Sequence, residues 1–399
     1  MSTYALPTRG VAFWPVGNGD SVTIALDEDT VIQWDVNHRT SAEDEDDDRV
    51  PVVDRLAELL PFADDGETPR LAVLAITHHD ADHCSGFDRL CDEFQIDEMW
   101  LTLRSFVEAK NEDDLTEIGA VVYEEAKRRR DAEIAACSAG TGRAATGDRL
   151  RIIGRHDLLE DADWQGFPEE LVTRAGEFIP DINGEDRSNV LEIFVHTPFH
   201  EDTGEGTRNS SCLGVRLTFK GASEECSVLL LGDLEYAQIE AFVEKSEARD
   251  NEDQLPYDYL LSPHHGSRNA IMGQDSNGTW VKALAFDHLR DYANDDAAVV
   301  VSARSIDDKS AADTDPPHAE ALDCYREIVG DERLLLTADT ASGSDSEPIT
   351  IDVADDGQAQ LREAGAAWQA RVASVVPASK SPGIRPGDAK GAAGDQEFA

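Results

Sequence analysis

The sequence predicts a mixed α/β or α+β fold that contains two β-sheets. Short apolar runs typical of buried strands recur along the 399 residues, and helix-like segments separate them. Three of these runs lead directly into acidic residues or histidines, at Ile76–His83, Leu231–Asp233 and Leu261–His265. If the three strands lie in neighbouring sheets, their ends converge on one pocket. With 40% hydrophobic residues, the chain can bury one large core or two modest ones.

The N-terminal region is predicted to form a β-hairpin. Two strand-like runs, Gly10–Leu26 and Thr30–Asn37, flank a short acidic turn. Within the first run, Gly17 and Gly19 permit a tight bend with close backbone approach, and Asp20 follows directly.

Periodicity predicts the remaining elements. A short amphipathic helix is expected at Val52–Leu60, because its apolar side chains recur on one helical face. Longer helices are expected at Asp113–Ala136, Glu235–Ala248 and His318–Val329. The predicted strands are Leu71–Ile76, Glu98–Leu103, 147–154, Val190–His196, Cys212–Lys220, Cys226–Leu231, Tyr257–Leu261, Ala297–Ser302, 333–339 and 348–353.

The stretch Leu71–Gly86 carries a cluster of side chains able to bind metal. They are His78, His79, Asp80, Asp82 and His83. Alternate residues of an extended segment point the same way, so His78 and Asp80 can face one pocket. Asp82 and His83 lie where the chain turns toward a helix expected to reach Phe94. Imidazole and carboxylate bind divalent metals, and the alternative is a polar loop with chance histidines.

Two aspartates are candidates for holding a metal-bound histidine in position. Asp20 follows the glycine bend, and Asp35 ends the second strand of the predicted hairpin. A carboxylate that accepts the free N–H of a metal-bound imidazole fixes its orientation. For Asp35, capping of the following turn is an equally good interpretation.

One domain is expected over 1–373, with an acidic, Gly- and Pro-containing insertion or lid at about 104–190. The basic cluster Lys127–Arg130 within it is predicted to lie on a helix surface near a C-terminus. The stretch 374–399 is rich in Pro, Gly, Ala and Ser without periodicity, which predicts a disordered tail.

The charge balance is strongly acidic. Asp and Glu number 82 against 35 Lys and Arg, a formal net charge of −47, and the acids are spread along the chain. A dispersed acidic surface keeps a protein hydrated in molar salt, so we expect a salt-accumulating cytosol; the alternative is an ordinary acidic protein. At about 1 M salt the screening length is only ~3 Å, so the overall charge does not exclude a phosphodiester substrate. No basic patch is visible in the sequence.

Cysteine spacing and hydropathy argue for a soluble, cytoplasmic protein. The six cysteines form no CxxC pair, which predicts reduced and mostly buried thiols. The N-terminus lacks the basic flank and apolar stretch of a signal peptide. No apolar run approaches the ~20 residues that a membrane helix requires, so no membrane partner is expected.

Four sequence blocks occur in order along the chain: VGNGDS with the partner strand ending WDVN, THHDADHCSG, RNSSCLGVRLTF followed by LLLGD, and YLLSPHHGS. In these blocks the chain resembles the metallo-β-lactamase superfamily and most closely the hydrolase domain of ComEC-type DNA-uptake proteins. A weaker match is DPPHAEAL followed by RLLLTAD and ITIDV, and together they cover about 11–353. The resemblance implies a four-layer αβ/βα sandwich with a dinuclear metal site at one edge of two facing sheets.

By position, the resemblance implies two ligand pairs. His78 and Asp80 would serve a first metal ion, and Asp82 and His83 a second.

The resemblance also implies that Asp233 bridges the two ions. One histidine of the doublet His264-His265 would complete the second site, with His264 slightly favoured. From the residues alone, Asp233 after a glycine could instead cap a helix.

Two departures from the family pattern affect the first ion. The usual second histidine is Asp80 here, and a further upstream histidine has no clear match. The region holds Asn209-Ser210-Ser211 instead; Asn209 is expected to contact substrate, while His196 and His200 lie nearby and could substitute. One or two ions are therefore compatible with the pattern. More oxygen and less imidazole shifts preference toward harder ions, so Mn²⁺ rivals Zn²⁺.

The implied chemistry is hydrolysis by a metal-bound hydroxide, which Asp82 could orient as well as ligate. Ser267 and Arg268, just after the doublet, are expected to contact a phosphate, because the planar guanidinium fork matches phosphate oxygens. His318 could donate a proton to the leaving group or bind substrate, or it could simply begin a helix.

The leading hypothesis is a phosphodiester hydrolase that acts on a nucleotide or on single-stranded nucleic acid. A second hypothesis is hydrolysis of a carboxylic ester, lactone or thioester. A third is a catalytically weak metal-binding or regulatory module.

Overall fold

A computed structural model of the protein describes residues 4–44, 46–111, 115–205, 207–306 and 314–362. The strands are β1 (Gly10–Phe13), β2 (Val22–Ala25), β3 (Val31–Trp34), β4 (Arg70–Ile76), β5 (Gln95–Thr102), β6 (Arg149–Ile153), β7 (Val172–Thr173), β8 (Leu191–Thr197), β9 (Gly214–Lys220), β10 (Glu225–Leu230), β11 (Tyr257–Leu261), β12 (Met272–Gln274), β13 (Trp280–Lys282), β14 (Ala293–Val301), β15 (Leu334–Leu336), β16 (Ile349–Val353) and β17 (Ala359–Leu361). The helices are α1 (Val52–Leu59), α2 (Ala81–Cys84), α3 (Phe87–Glu93), α4 (Arg104–Lys110), α5 (Glu117–Ala139), α6 (His200–Glu205), α7 (Tyr236–Glu247), α8 (Leu284–Asp291) and α9 (Ala319–Val329).

Two sheets form the inner layers of the fold. The first has the order β17-β16-β1-β2-β3-β4-β5-β6-β7, and the second has the order β15-β14-β11-β10-β9-β8. In each sheet, one half is antiparallel and the other half is parallel. The short pair β12-β13 forms a separate hairpin.

The core lies between the sheets and on both of their outer faces. Trp34 of β3 and Ala75 of β4 belong to one buried cluster with Val195 of β8 and Leu230 of β10, so the two sheets pack face to face. The alternate residues of the first sheet pack under α1, α3, α4 and α5, and those of the second under α7, α8 and α9. Each large apolar side chain buried in this way contributes about 1.5–3 kcal/mol. The predicted four-layer αβ/βα sandwich is confirmed.

The parallel halves of the two sheets bring three strand ends to one edge of the sandwich. β4 ends at Ile76 in the first sheet, while β10 and β11 end at Leu230 and Leu261, which are register partners in the second. The loops that follow these three strands are the ones predicted to carry metal ligands.

Glycines divide two segments of the chain, the first at the bend that the sequence predicted and the second within a stretch predicted to be one helix. The first N-terminal run forms β1 and β2, separated by the turn that contains Gly17 and Gly19. The helix expected to reach Phe94 is split into α2 and α3, because Gly86 between them has φ +90°.

The region 104–190, predicted to be an insertion or lid, supplies α4 and α5 to the outer layer and β6 and β7 to the first sheet. The prediction that Lys127–Arg130 forms a helix surface is wrong for two of its members. Arg129 and Arg130 are buried, and Arg129 donates hydrogen bonds to Glu125 and to the Ile96 carbonyl. The predicted tail 374–399 lies outside the described residues.

All six cysteines fall within the described residues, and none of them forms a disulfide. None of the described helices is long and apolar enough to cross a bilayer.

Candidate metal centre

Four side chains from the three strand ends converge on a small volume, which we call the second-ion group: Asp82, His83, Asp233 and His265. Nε2 of His83 lies 3.0 Å from Oδ1 of Asp233 and 3.2 Å from Nε2 of His265. Nε2 of His265 lies 3.2 Å from the same Asp233 oxygen and 3.5 Å from Oδ2 of Asp82. Ligand atoms at 2.0–2.1 Å around a tetrahedral ion are about 3.3 Å apart. The second-ion group therefore fits a divalent metal ion.

The N-terminal turn holds the Asp82 loop against this edge. The backbone N–H of Asp20 donates to the Asp82 carbonyl at 3.1 Å, and the Val36 N–H donates to the His83 carbonyl at 2.9 Å. A Cβ at Gly19 would stand 2.4 Å from the Asp82 carbonyl oxygen, so only glycine permits this approach.

Both aspartates proposed to hold a histidine lie against one. Asp35 accepts a hydrogen bond from Nδ1 of His83 at 2.8 Å, and two more from the backbone N–H and hydroxyl of Thr77 at 2.7 Å each. Oδ1 of Asp20 lies 3.4 Å from Nδ1 of His265. In both imidazoles, the nitrogen that faces the second-ion group is thus the one opposite the aspartate.

The histidine doublet is turned by an unusual backbone. His264 and His265 both have left-handed conformations, with φ of 52° and 54°. The second-ion group contains His265, whereas the sequence slightly favoured His264 for that position. His264 instead has its Nε2 3.7 Å from Oδ2 of Asp233, on the other side of the carboxylate.

His78 and Asp80, the predicted ligands of the first ion, face the same Asp233 oxygen. Nε2 of His78 lies 3.6 Å from Oδ2 of Asp80 and 3.8 Å from Oδ2 of Asp233. Asp233 therefore directs one oxygen to each of the two predicted ligand pairs. These separations are wider than those of the second-ion group.

The electrostatics of the second-ion group favour bound positive charge. Burial opposes protonation of His265, but Asp233, Asp20 and Asp82 outweigh it and raise its pKa to about 10. Burial also opposes the charged form of His83, but Asp233 and Asp35 together hold the pKa of that ring well above its usual value. Burial works against ionisation of Asp233, yet the neighbouring histidines hold its pKa well below the ordinary range. A divalent cation would supply the same charge that these protons provide.

Two residues that the sequence did not predict support Asp80. Nη1 of Arg208 donates to Oδ1 of Asp80 at 2.8 Å, and its Nη2 donates to the buried Glu108 at 2.9 Å. Glu108 also contacts Nε2 of His79 at 2.8 Å, so this histidine pairs with Glu108 and does not join the candidate metal ligands. Arg208 begins the block RNSSCLGVRLTF, directly before Asn209. Glu108 lies on α4, a helix that no sequence pattern predicted.

The residues predicted to contact substrate just after the doublet and at the start of α9 make contacts outside the second-ion group. Ser267 is buried and accepts a hydrogen bond from the Asn269 N–H at 3.3 Å, and Arg268 lies over the Trp280 ring at 4.9 Å. His318 precedes α9, and its Nδ1 accepts from the Arg268 N–H at 3.3 Å while Nε2 lies 3.0 Å from the Thr314 carbonyl. These contacts favour the helix-start interpretation of His318.

The upstream candidates for a further ligand are also engaged elsewhere. Nε2 of His196 contacts the Gln254 carbonyl at 3.1 Å, and Nε2 of the exposed His200 contacts Asp157 at 3.0 Å. Asn209 begins a short 3₁₀ turn, and its backbone carbonyl accepts a hydrogen bond from the Cys212 N–H.

A cleft of about 840 Å³ opens onto these candidate metal ligands. The cleft is lined by Asp82 and the histidine doublet and by three arginines: Arg39, Arg49 and Arg304. These arginines come from distant parts of the sequence, so no run of basic residues predicts that they lie in one cleft. Acidic residues at 46–48 also line the cleft, and Asp47 pairs with Arg49.

The sequence matches no family model and no curated protein. Several solved structures are similar. A B3 metallo-β-lactamase with an active-site glutamic acid is 12% identical over 72% of this chain and 85% of its own, with a TM-score of 0.35. A diphosphatase of the PhnP family is 10% identical over 84% of this chain and 85% of its own, with a TM-score of 0.34. A β-lactamase from Chitinophaga pinensis is 12% identical over 82% and 91%, with a TM-score of 0.33.

Proposed function

We propose that the protein is a metal-dependent hydrolase of phosphodiesters. The observation that carries the proposal is that two members of the second-ion group, Asp82 and His265, line a cleft that is also lined by three arginines. Zn²⁺ or Mn²⁺ bound there would lower the pKa of a coordinated water and take up charge on a phosphate oxygen.

The side chains of this chain have separable tasks in such a reaction. Asp82, His83, Asp233 and His265 would hold the ion, and Asp35 and Asp20 would orient the two imidazoles. The side chain of Asp82 is 30% exposed, so it could also orient the attacking water. Guanidinium groups bind phosphate oxygens through paired hydrogen bonds, which suits Arg39, Arg49 and Arg304 to a phosphodiester.

The charge balance supports a working environment of high salt. With 82 acidic against 35 basic residues, long-range repulsion would oppose a nucleotide or single-stranded nucleic acid at low ionic strength. Molar salt shortens the screening length to ~3 Å and leaves the local arginines to act on the substrate.

The test is turnover of bis-p-nitrophenyl phosphate in molar salt with Mn²⁺ or Zn²⁺, compared with p-nitrophenyl acetate. We expect hydrolysis of the phosphodiester and an increase in KM in an Arg304→Ala variant. Arg268→Ala is the matched comparison, because Arg268 lies over Trp280 and outside the cleft. Metal-loaded protein that cleaves only the acetate ester, or neither compound, would contradict the proposal.

A further inference from the structure

The hydrogen bonds around Thr77 define the protonation of His78. The Thr77 hydroxyl donates its single proton to Oδ2 of Asp35 at 2.7 Å. Nδ1 of His78, 3.1 Å from the same hydroxyl oxygen, must therefore be the donor in that contact. In the neutral form of this ring, Nε2 of His78 is then the unprotonated nitrogen and carries a lone pair.

That nitrogen is buried and has no hydrogen-bond partner among the described residues. It faces Oδ2 of Asp80 at 3.6 Å and Oδ2 of Asp233 at 3.8 Å, so two carboxylate oxygens lie next to a nitrogen that has no proton to donate to them. A buried acceptor without a partner is costly, and a cation among the three would satisfy all of them.

His264 faces the same carboxylate oxygen of Asp233 as His78 does. Its Nε2 lies 3.7 Å from the same Oδ2 of Asp233, and its side chain is 20% exposed at the wall of the cleft. Consecutive left-handed backbone at His264 and His265 is strained, and such strain is retained where it serves a site. The turn is held by hydrogen bonds from the His264 N–H to the Gly232 carbonyl and from the Ser267 N–H to the His264 carbonyl. Its result is that the two rings meet opposite oxygens of Asp233.

We propose that a first metal ion is bound by His78, Asp80 and Oδ2 of Asp233, and that His264 is its fourth protein ligand. The doublet is then divided between two ions, and His264 supplies what the upstream region lacks. This assignment deepens the proposed function and rests on its metal-binding part alone.

The two ions should differ in affinity. In the first-ion set, the separations from His78 to Asp80, from His78 to Asp233 and from His264 to Asp233 are 3.6–3.8 Å, whereas contacting atoms of the second-ion group are 3.0–3.5 Å apart. Arg208 also donates to Oδ1 of Asp80, which leaves Oδ2 for the ion and brings a positive charge close to it. The second-ion group should therefore fill before the first.

The experiment is a Mn²⁺ titration of the metal-free full chain in molar salt, followed by metal analysis after dialysis and by electron paramagnetic resonance. Wild-type protein should bind two ions with an exchange-coupled signal. His264→Gly should retain the tighter ion, lose the weaker one and lose the coupling. Glycine adopts the left-handed backbone without strain, so the turn is preserved.

Two comparison variants locate each ion. His265→Gly should lose the tighter ion, and His200→Ala should retain both, because the exposed His200 pairs with Asp157 and belongs to neither ligand set. Circular dichroism establishes that each variant is folded. If a variant does not fold, an anomalous-scattering map of wild-type protein should show two peaks, one of them within ~2.2 Å of Nε2 of His264.

A coupled pair of ions that survives in His264→Gly would overturn the assignment, as would a wild-type chain that binds a single ion. Two coupled ions without phosphodiester turnover would instead contradict the proposed substrate class and leave the assignment of His264 intact.

Discussion

Replacement of Asp35 by asparagine tests how the fold prepares His83 to bind a metal ion. Asp35 is fully buried, and its Oδ2 accepts both the His83 Nδ1–H and the Thr77 hydroxyl while Oδ1 accepts the Thr77 N–H. Burial raises the pKa of Asp35 to about 6, against the opposing effect of the adjacent His83, so the group is mostly ionised at pH 7.

Asparagine has nearly the same shape but only one acceptor oxygen. If its NH₂ takes the position of Oδ1, it opposes the Thr77 N–H. If the NH₂ takes the position of Oδ2, it can donate to Nδ1 of His83, which moves the ring proton to Nε2. That nitrogen faces Asp233 and His265, so the proton would occupy the position of the ion.

We expect Asp35→Asn to weaken metal binding about 10–100-fold, which corresponds to about 1.4–2.8 kcal/mol. The assay is competition for Co²⁺ or Zn²⁺ against a chromophoric chelator in molar salt. Asp352→Asn is the matched control, since Asp352 is 39% exposed on β16 and accepts a hydrogen bond from Nε of Arg362 at 2.9 Å. An affinity within twofold of wild type in Asp35→Asn would refute the role assigned to this carboxylate.

The remaining predictions concern the bridging carboxylate, the close approach at the glycine bend, the buried glutamate and the surface charge. Asp233→Ala should abolish phosphodiester hydrolysis while circular dichroism stays unchanged. Gly19→Ala should lower Tm more than Gly66→Ala, because both residues have positive φ but only Gly19 would meet another residue, the Asp82 carbonyl at 2.4 Å. Burial opposes ionisation of Glu108, but hydrogen bonds from one histidine and two arginines lower its pKa, so its stabilisation is present above about pH 4.3 and is lost as pH falls. Glu108→Gln should therefore lower Tm at pH 7 and reduce the dependence of Tm on acidic pH in calorimetry. For the wild type, the net charge of −47 predicts a Tm that rises between about 0.1 M and molar salt.

Each of these outcomes has a clear opposite. Full activity in Asp233→Ala would show that the metal centre is misplaced, and equal Tm values for the two glycine variants would show that the bend tolerates a Cβ. A wild-type acid profile in Glu108→Gln, or a Tm independent of salt, would remove the corresponding electrostatic argument.

Elements with strong periodicity were predictable because their pattern is local. The strand Tyr257–Leu261 has the bounds expected from the sequence, and α1 and α9 differ by a single residue from expectation. In the region 104–190, the sequence predicted a helix and a strand that correspond to α5 and β6, but it did not predict their place in the sandwich. Its strands pair at the edge of a sheet formed by residues far away, and the buried Arg129 donates to the Ile96 carbonyl of β5.

The sequence by itself determined the kinds of side chain that follow three buried strands, because a strand end and its loop are encoded in a few adjacent residues. Only the tertiary structure decided which oxygen of Asp233 each member of the doublet meets, since the left-handed backbone of the doublet sets the direction of both rings. It also brought Arg39, Arg49 and Arg304 to one cleft. Contacts of that kind depend on the packing of two sheets, and no spacing along the chain records them.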